Sequence, residues 1–461
     1  MEMGTKDGIF GVVYAKLTVN LACRGDNTNT ICIKHLLWGD DSLGIPFAHE
    51  KANQTGNDPT KKLPRRCFCN PLEGHWSTDL ASSLFHYLAL HPEAIAMPNY
   101  PLLQGAPDAQ ATAFNRVLKK VLRTNVDSDT NIPLCEKKHS TPVNDISMYS
   151  YRKCSHTKLN CGSTAGPTSA AACLREGHSL GGARNPYIAQ EQASDEYCGR
   201  ILCGLPINSP EFAVSYPDFI PIPLDATVIP PKSDPTYKEN NKQLDSKVEE
   251  VLNAIFTSEH MSAYPLIHRF LRIGLASHLI HFKEIDELLP ANSILRQTPL
   301  FTSPQVAELR QYVRIAMPWE DHHIYFADPS GLPPHATQLH ELREIKHLIQ
   351  DWLPRYLEGM LEKRQMNGPV SLAQMRTMVA ASVAQSPVIC NLEQNMANLT
   401  SHIMRTAQST SGNESSDVGS HYQLFQHADG KSRREKQKGP SWLDYSWTFA
   451  AAHVCVLALR Q

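Results

Sequence analysis

Five side chains of this 461-residue sequence have types suited to chemistry on a phosphodiester: Arg24, Lys51, Arg152, His178 and Tyr187. Attack on phosphorus adds negative charge to the non-bridging oxygens. A guanidinium can neutralise that charge through planar, paired donors that stay protonated at physiological pH. A phenol can act as the nucleophile, and lysine or histidine can supply protons. Gathered around one phosphate, these side chains would suffice for phosphoryl transfer without a metal ion or another cofactor.

The order of these residues and the sequence segments around them resemble those of the tyrosine recombinases (phage-integrase-like enzymes). Within that family, the local sequence is similar to that of the Crypton-type transposon recombinases. The phrases that carry the resemblance are Cys23-Arg24 with Asn27-Thr28, Phe47 to Gly56, Gly162-Ser163-Thr164 with Gly166-Pro167, Ser179-Leu180-Gly181-Gly182, and Gly204 to Ala213. The likeness covers residues 10–220, and a weaker one reaches Gly331–His335.

The resemblance implies a role for each candidate side chain. Arg24 and Arg152 would clamp the scissile phosphate, and His178 would donate a hydrogen bond to it. Lys51, on a β-hairpin, would protonate the departing 5′ oxygen. Tyr187 would attack and form a 3′-phosphotyrosyl link that conserves the bond energy, so the implied enzyme needs no nucleotide and no metal.

One position departs from the family pattern. The family usually has histidine three residues before its second arginine, whereas this chain has Tyr149. A phenol can donate a hydrogen bond, but its pKa near 10 makes it a poor proton acceptor at neutral pH. Loss of one acid/base group typically costs roughly 10²–10⁴-fold in rate. We also expect the N-terminal core-binding domain of the family to be absent, since the sequence starts only one helix before Arg24.

Charge is balanced along the chain. The formal net charge is -2, and residues 1–220 hold 21 Lys and Arg against 21 Asp and Glu. Contact with double-stranded DNA must therefore come from local basic clusters, and phosphate contacts of this kind are salt-sensitive. The predicted DNA-binding residues are Lys61, Lys62, Arg65, Arg66 and Lys153. The alternative is that each cluster is an ordinary solvated face.

Each candidate also has a structural explanation. Tyr187 alone would be read as a half-buried aromatic residue. His178, after Gly177, fits a cap near a helix C-terminus, where a partial positive charge is favourable. The function expected from the whole series is DNA cleavage and rejoining during transposon integration or excision. Two alternatives remain open: a non-catalytic DNA-binding or assembly protein descended from such an element, and an inert relic.

Strand-like runs surround the predicted hairpin. Ile31 to Trp38 is rich in apolar residues, Leu43 to Phe47 follows an acidic turn, and Arg66 to Cys69 closes the set. Apolar runs bounded by turn residues favour strands. They predict a hairpin that bears Lys51 near its far turn.

Helical signals follow the strands. One helix is predicted to begin at Thr78-Asp79, and another to run over Asp108–Arg123. Asp145 is a candidate N-cap for the helix that carries the second arginine. Pro167 suits the first turn of a helix that ends at Gly177.

These elements predict an α+β, mostly helical fold with an integrase-like catalytic domain and a following helical module. Length suggests two to three domains. We expect residues 1–215 to form the catalytic domain, 216–243 a proline-rich connector, and 244–400 a helical module with the periodicity of a bundle or coiled coil. Residues 401–461 would be a flexible linker, a basic run and a truncated tail.

Twelve cysteines show no repeated spacing typical of a metal site. No apolar run approaches the roughly 20 residues that span a membrane, and no N-terminal apolar leader is present. We therefore expect reduced thiols in a nuclear, or otherwise cytoplasmic, protein without membrane contact. Strand exchange between two duplexes would require a homo-oligomer on DNA.

Overall fold

A computed structural model describes residues 4–46, 63–178, 180, 191–224, 233–318 and 328–347, with positions 350 and 355. These residues are mostly helical and include two small antiparallel sheets, so the predicted α+β, mostly helical class is confirmed. The helices are α1 (Lys6–Leu21), α2 (Gly25–Asn29), α3 (Leu80–Leu90), α4 (Glu93–Ala96), α5 (Pro107–Thr124), α6 (Leu134–His139), α7 (Met148–Cys161), α8 (Ser169–Arg175), α9 (Gln192–Leu202), α10 (Pro235–Ala263), α11 (His268–Ile280), α12 (Phe282–Leu288), α13 (Pro299–Thr302), α14 (Pro304–Leu309) and α15 (Pro334–His347). The strands are β1 (Leu37–Trp38), β2 (Leu43–Ile45), β3 (Arg65–Cys67), β4 (Asp218–Phe219) and β5 (Val313–Arg314).

The first sheet has the order β1-β2-β3 and is antiparallel throughout. β1 and β2 fall inside their predicted runs, and β3 overlaps the third run but begins one residue earlier, at Arg65. Leu43 lies opposite Cys67, and Ile45 opposite Arg65. The connection between β2 and β3 is residues 47–62, which lie outside the described residues. Lys51, predicted at the hairpin turn, belongs to that connection.

Two predicted helices are confirmed as α3 and α5. Asp79 caps α3, and its carboxylate accepts a hydrogen bond from the backbone of Ser82 over 2.8 Å. The faces predicted to point inward are buried in both helices, with Leu84 and Phe114 as examples. For α5 the spacing of three and four residues works because the helix has one wet side, whereas α3 is buried all round from Leu80 to Leu88, so its predicted face is buried together with the others.

Helix α1 is buried on almost every side, with Lys16 in its middle. The ammonium of Lys16 donates to the carbonyls of Trp76 and Asp79 over 2.7 and 2.8 Å, and to Oγ of Ser83 over 2.5 Å. A buried charge is tolerated only when its donors are satisfied. These three hydrogen bonds fix α1 against α3 and against the residues that lead into α3.

The hydrophobic core crosses the predicted boundary at residues 216–243. Helices α10 and α11 bury Leu252 and Phe270 in the same cluster as Leu84. Phe85 of α3 stacks edge-on against Phe256 at 5.6 Å between ring centroids. In the described parts of this region, β4 pairs with β5 and α10 already begins at Pro235. The predicted separation of a catalytic domain from a helical module therefore differs from the structure, because these helices cover the N-terminal half.

Residues 4–336 belong to one compact unit, and Thr337–Gly439 form a second, of which 337–347, 350 and 355 are described. The predicted tail, 401–461, lies outside the described residues. Among the helices that are described, none combines the length and apolar character needed to cross a bilayer. The ten cysteines in the described ranges are all free thiols.

Candidate active site

Arg24 is held at the start of α2 by a turn that ends α1. Ala22 adopts a left-handed conformation with φ of 50° at the end of α1. Cys23 then bonds back to the carbonyl of Thr18 over 3.3 Å, and its thiol lies 3.1 Å from the hydroxyl of Thr28. These contacts hold α2 against α1 and leave the Arg24 side chain half-buried at the surface.

Helix α7 carries Arg152, Tyr149 and Lys153. It is tied to its neighbours by the backbone of Met148, which donates to Asn115 Oδ1 over 2.8 Å, and by Ser155 Oγ, which donates to the Val19 carbonyl over 3.0 Å. Arg152 is 8% exposed.

The N-cap of α7 is Ser147, with its backbone N–H bonded to Ser150 Oγ over 3.2 Å. The predicted cap, Asp145, lies in a 3-10 turn before the helix. That prediction is wrong by two positions, because a second serine one turn on completes the cap.

Tyr149 stands exposed in the first turn of α7. Its ring is 58% exposed and lies under Lys153, with 5.2 Å from Nζ to the ring centroid. A cation over an aromatic face contributes only about 0.5–1 kcal/mol at such a site. Tyr149 is therefore held loosely, on the exposed part of the helix whose next turn carries Arg152.

His178 is positioned by the end of α8. Gly177 takes φ of 67°, a left-handed conformation that favours glycine, and the His178 N–H bonds to the Cys173 carbonyl over 2.8 Å. The helix begins at the N-cap Thr168, so Pro167 precedes the cap instead of occupying the first turn as predicted. The helix ends at Arg175 with Glu176 as its C-cap, so the predicted end at Gly177 is two residues late, although Gly177 forms the turn that follows the cap. This turn directs His178 back toward α7.

Arg152 and His178 are in direct contact. Nη2 of Arg152 donates to the Glu176 carbonyl over 2.9 Å and to Nε2 of His178 over 2.9 Å. A guanidinium can only donate, so Nε2 accepts and the ring proton of His178 resides on Nδ1. That nitrogen lies 3.2 Å from the Glu176 carboxylate.

The site gathers positive charge in partial burial. Burial lowers the pKa of Arg152, and the charge of Arg24 lowers it further. Burial also lowers the pKa of His178, with added effects from Arg152, His156 and Arg24. Within the residues that the structure describes, no carboxylate forms an ion pair with Arg24 or Arg152. Two guanidiniums thus share one small region, which suits an anion with several oxygens.

Two residues of this site were missed from sequence. Glu176 is 5% exposed, and its carboxylate bonds to His156 and lies 3.2 Å from Nδ1 of His178. Burial raises the pKa of Glu176, against the hydrogen bond from His156 and the charge of Arg152. The available signal was helical spacing: His156 follows Arg152 by one turn of α7 and therefore shares its face.

A buried ion pair anchors the segment that carries His178. Arg175 is 1% exposed and pairs with Asp195 of α9, and it also donates to the carbonyls of Asn20 and Arg66 over 2.6 and 2.9 Å. Burial works against the charge of Arg175, but the charge and hydrogen bond of Asp195, together with Cys67 and Cys198, raise the pKa of Arg175 above its usual value. α8, α9, α1 and β3 are thereby joined directly behind the site.

The predicted DNA-binding residues separate into different environments. Arg65 is 2% exposed, donates to the Leu174 carbonyl over 2.9 Å and lies 3.8 Å from Asp195. It supports α8 and does not present its guanidinium to solvent, in contrast to the prediction. Arg66 is half-buried, and Lys153 is exposed.

The remaining predicted site residues lie outside the described residues. They are Lys51, Lys61, Lys62 and Tyr187. The structure therefore brings together Arg24, Arg152 and His178 with Tyr149 nearby, and it leaves the nucleophile and the hairpin lysine as predictions.

The chain was compared with known proteins in three ways. No protein-family model, curated protein or solved structure matches it significantly.

Proposed function

We propose that the chain cleaves and rejoins double-stranded DNA in the manner of the tyrosine recombinases, in the integration or excision of a transposable element. The observation that carries this proposal is the convergence of Arg24, Arg152 and His178 from three separate segments of the chain. Like charges placed together in partial burial oppose folding. A bound phosphate would offset this repulsion, because the clustered cations stabilise the negative charge that develops on its oxygens.

In the proposed reaction, Tyr187 Oη loses its proton to solvent and bonds to phosphorus, and the bond to the 5′ oxygen breaks. Lys51 gives its proton to that oxygen, and Arg24 and Arg152 take up the charge on the non-bridging oxygens. His178 would donate to the same phosphate. The reverse steps rejoin the strand, so energy is conserved in the phosphotyrosyl bond and neither a nucleotide nor a metal takes part in this reaction.

A second candidate function is DNA binding or assembly without strand cleavage. Tyr149 favours it, because an exposed phenol stands where the family has an acid/base histidine. The same cluster of guanidiniums would bind a backbone phosphate without cutting it. Assembly as a homo-oligomer on DNA and a nuclear location belong to either proposal, and the basic run 431–438 lies outside the described residues.

A covalent-adduct assay separates the two functions. The chain is incubated with a pool of nicked duplexes of randomised sequence, in which loss of the short cleaved fragment traps the enzyme on DNA. The expected result is a protein–DNA adduct that survives denaturation and disappears in Tyr187→Phe. Tyr100→Phe is the matched control, since Tyr100 is 65% exposed and lies outside the cluster.

Two outcomes would count against strand transfer. An adduct that persists in Tyr187→Phe would exclude that nucleophile. Salt-sensitive DNA binding with no adduct in the unaltered chain would instead support the binding or assembly function.

A further inference from the structure

We propose that His156, Glu176 and His178 form a binding site for one divalent transition-metal ion of the zinc type, and that its occupation withdraws His178 from Arg152. This site goes beyond the proposed strand transfer and does not depend on it. Two imidazoles and one carboxylate are a donor set that zinc uses where a fourth position stays open to water or substrate.

The three ligand atoms are already close together. Each side chain offers one nitrogen or oxygen, and all three atoms lie within 4.8 Å of one another. Around a tetrahedral zinc ion with bonds of about 2.0–2.1 Å, ligand atoms are separated by roughly 3.4 Å. The distance of 3.2 Å from Nδ1 of His178 to Glu176 is close to that value.

His156 must move to admit an ion, and it is free to do so. Its Nδ1 bonds directly to Oε2 of Glu176, and a metal ion between the two atoms would replace that hydrogen bond. The side chain of His156 is 47% exposed and sits on the outer side of α7. A small outward rotation of the ring would therefore open the space without disturbing the core.

Glu176 provides the fixed point of the proposed site. Its side chain is 1% exposed, and its residue follows the last turn of α8, which the ion pair of Arg175 with Asp195 anchors. Ligands whose supporting contacts are already in place bind a metal at a lower cost in ordering. The other two ligands lie at the rim, through which an ion can enter.

Occupation has a consequence for Arg152. A neutral imidazole that binds a metal through Nδ1 carries its proton on Nε2. In the structure Nε2 accepts a hydrogen bond from Arg152 over 2.9 Å. Two donors cannot bond to each other, so metal binding must break this contact. The metal and the Arg152–His178 pair are therefore mutually exclusive.

Nearby positive charge should lower the affinity of this site for a metal ion. The pKa of His178 is lowered first by its burial and then by the charges of Arg152, His156 and Arg24, and Nη2 of Arg152 lies 2.9 Å from Nε2 of His178. The same charges repel a divalent cation. Removing one of them should tighten metal binding, which is the opposite of what removing a ligand does.

Metal binding is measured on the full chain after treatment with a chelator. Zn²⁺ is titrated by calorimetry, and Co²⁺ is titrated by its visible absorption, whose intensity reports a low-coordinate site. The expected result is one strongly bound equivalent. His156→Asn should weaken binding by at least the roughly 10–100-fold that loss of an outer hydrogen-bond partner of a metal ligand costs.

Three further variants make the result interpretable. Glu176→Gln should also weaken binding, and circular dichroism checks that this buried change leaves the fold intact. His268→Asn is the matched control, because His268 forms an exposed pair with Glu249 over 2.6 Å that lacks a third ligand. Arg24→Gln should bind Zn²⁺ more tightly than the unaltered chain.

The proposal is overturned if the unaltered chain binds no discrete equivalent of Zn²⁺ or Co²⁺. It is also overturned if His268→Asn weakens binding as much as His156→Asn, since the ions would then be adsorbed at scattered surface histidines. Because none of these readouts involves DNA, failure of strand transfer leaves the metal result standing.

Discussion

Arg152 and His178 are hydrogen-bonded to each other over 2.9 Å, with the arginine as donor and Nε2 of the imidazole as acceptor. Each is thus satisfied in the absence of any ligand. A phosphate that takes over the Arg152 donor would free Nε2, and the imidazole could then present a proton only after its tautomer or charge changes. Ligand binding and proton position at this pair are consequently linked.

Replacement of Tyr149 by His should accelerate adduct formation on nicked duplexes. Imidazole can both donate and accept a proton near neutral pH, whereas the phenol mostly donates. We expect a gain of roughly tenfold or more if the position does acid/base work of ordinary size. Because the side chain is 58% exposed, the change should fit without repacking. The rate is measured by quenching into denaturant. A chain that binds DNA but forms no adduct in either version would refute this role for the position.

Replacement of Lys153 by Ala should weaken binding to unrelated duplexes by similar factors, because a phosphate contact carries no sequence information. It should also reduce the slope of the logarithm of the affinity against the logarithm of the salt concentration by about one, since one counterion fewer is released. Arg65→Ala should act on stability instead, since Arg65 is buried between Leu174 and Asp195. Fluorescence anisotropy over a salt series checks the first effect and thermal unfolding the second. Equal salt slopes in the unaltered chain and Lys153→Ala would remove Lys153 from the interface.

Asp195→Ala should destabilise the chain by about 3–5 kcal/mol, because it leaves the buried guanidinium of Arg175 without its charge partner. Glu308→Ala is the matched control. Its partner Lys247 lies 2.5 Å away, but both side chains are nearly half exposed, and such pairs contribute about 0–1 kcal/mol. Urea unfolding compares the two free energies. Equal losses in the two variants would show that Asp195 does not anchor α8.

The histidine pair between α3 and α11 should make stability depend on pH. His86 and His278 lie 2.8 Å apart and are fully buried. Burial lowers the pKa of His278 to about 3, with smaller effects in the same direction from Arg310 and His281. Burial and the charge of His278 hold the pKa of His86 well below its usual value.

Because the folded pKa is below the unfolded value near 6.5, the unfolded chain binds the extra proton as the pH falls. Stability is therefore complete above about pH 6.5 and decreases below it, by about 2 kcal/mol at pH 5 for His278 alone. Urea unfolding at pH 7 and pH 5 measures the loss. His278→Asn should flatten the dependence, and the exposed His268→Asn should not. An unchanged slope in His278→Asn would contradict the assignment.

Sequence predicted the parts of this fold whose physics is local. Helix α5 was found because it alternates an apolar face with a wet one, and α3 was found because an apolar run follows the N-cap residue Asp79. The burial of Arg65 could not be found in this way. A basic pair looks solvated in sequence, and only the arrival of Asp195 on α9 makes a buried guanidinium acceptable.

The site likewise has features that the sequence predicted and features that it did not. The residue types of Arg24, Arg152 and His178 suggested their chemistry, and their order suggested a common site. The role of Glu176 depends on the left-handed turn at Gly177, which brings the Glu176 carboxylate and His178 together beside α7. Likewise, the periodicity of α10 and α11 revealed which faces are buried but not that α3 lies beneath them.

The close approach of α11 to α3 limits how the chain can be divided. A methyl group at Gly274 would lie 2.8 Å from Cβ of Phe85, so the two helices touch almost backbone to backbone. A fragment truncated at residue 215 would expose this apolar face to water and should aggregate or remain unfolded. The first 215 residues of this chain are therefore not a transplantable part. An engineered derivative that keeps Arg24 and Arg152 in their places must also keep the helices that follow them.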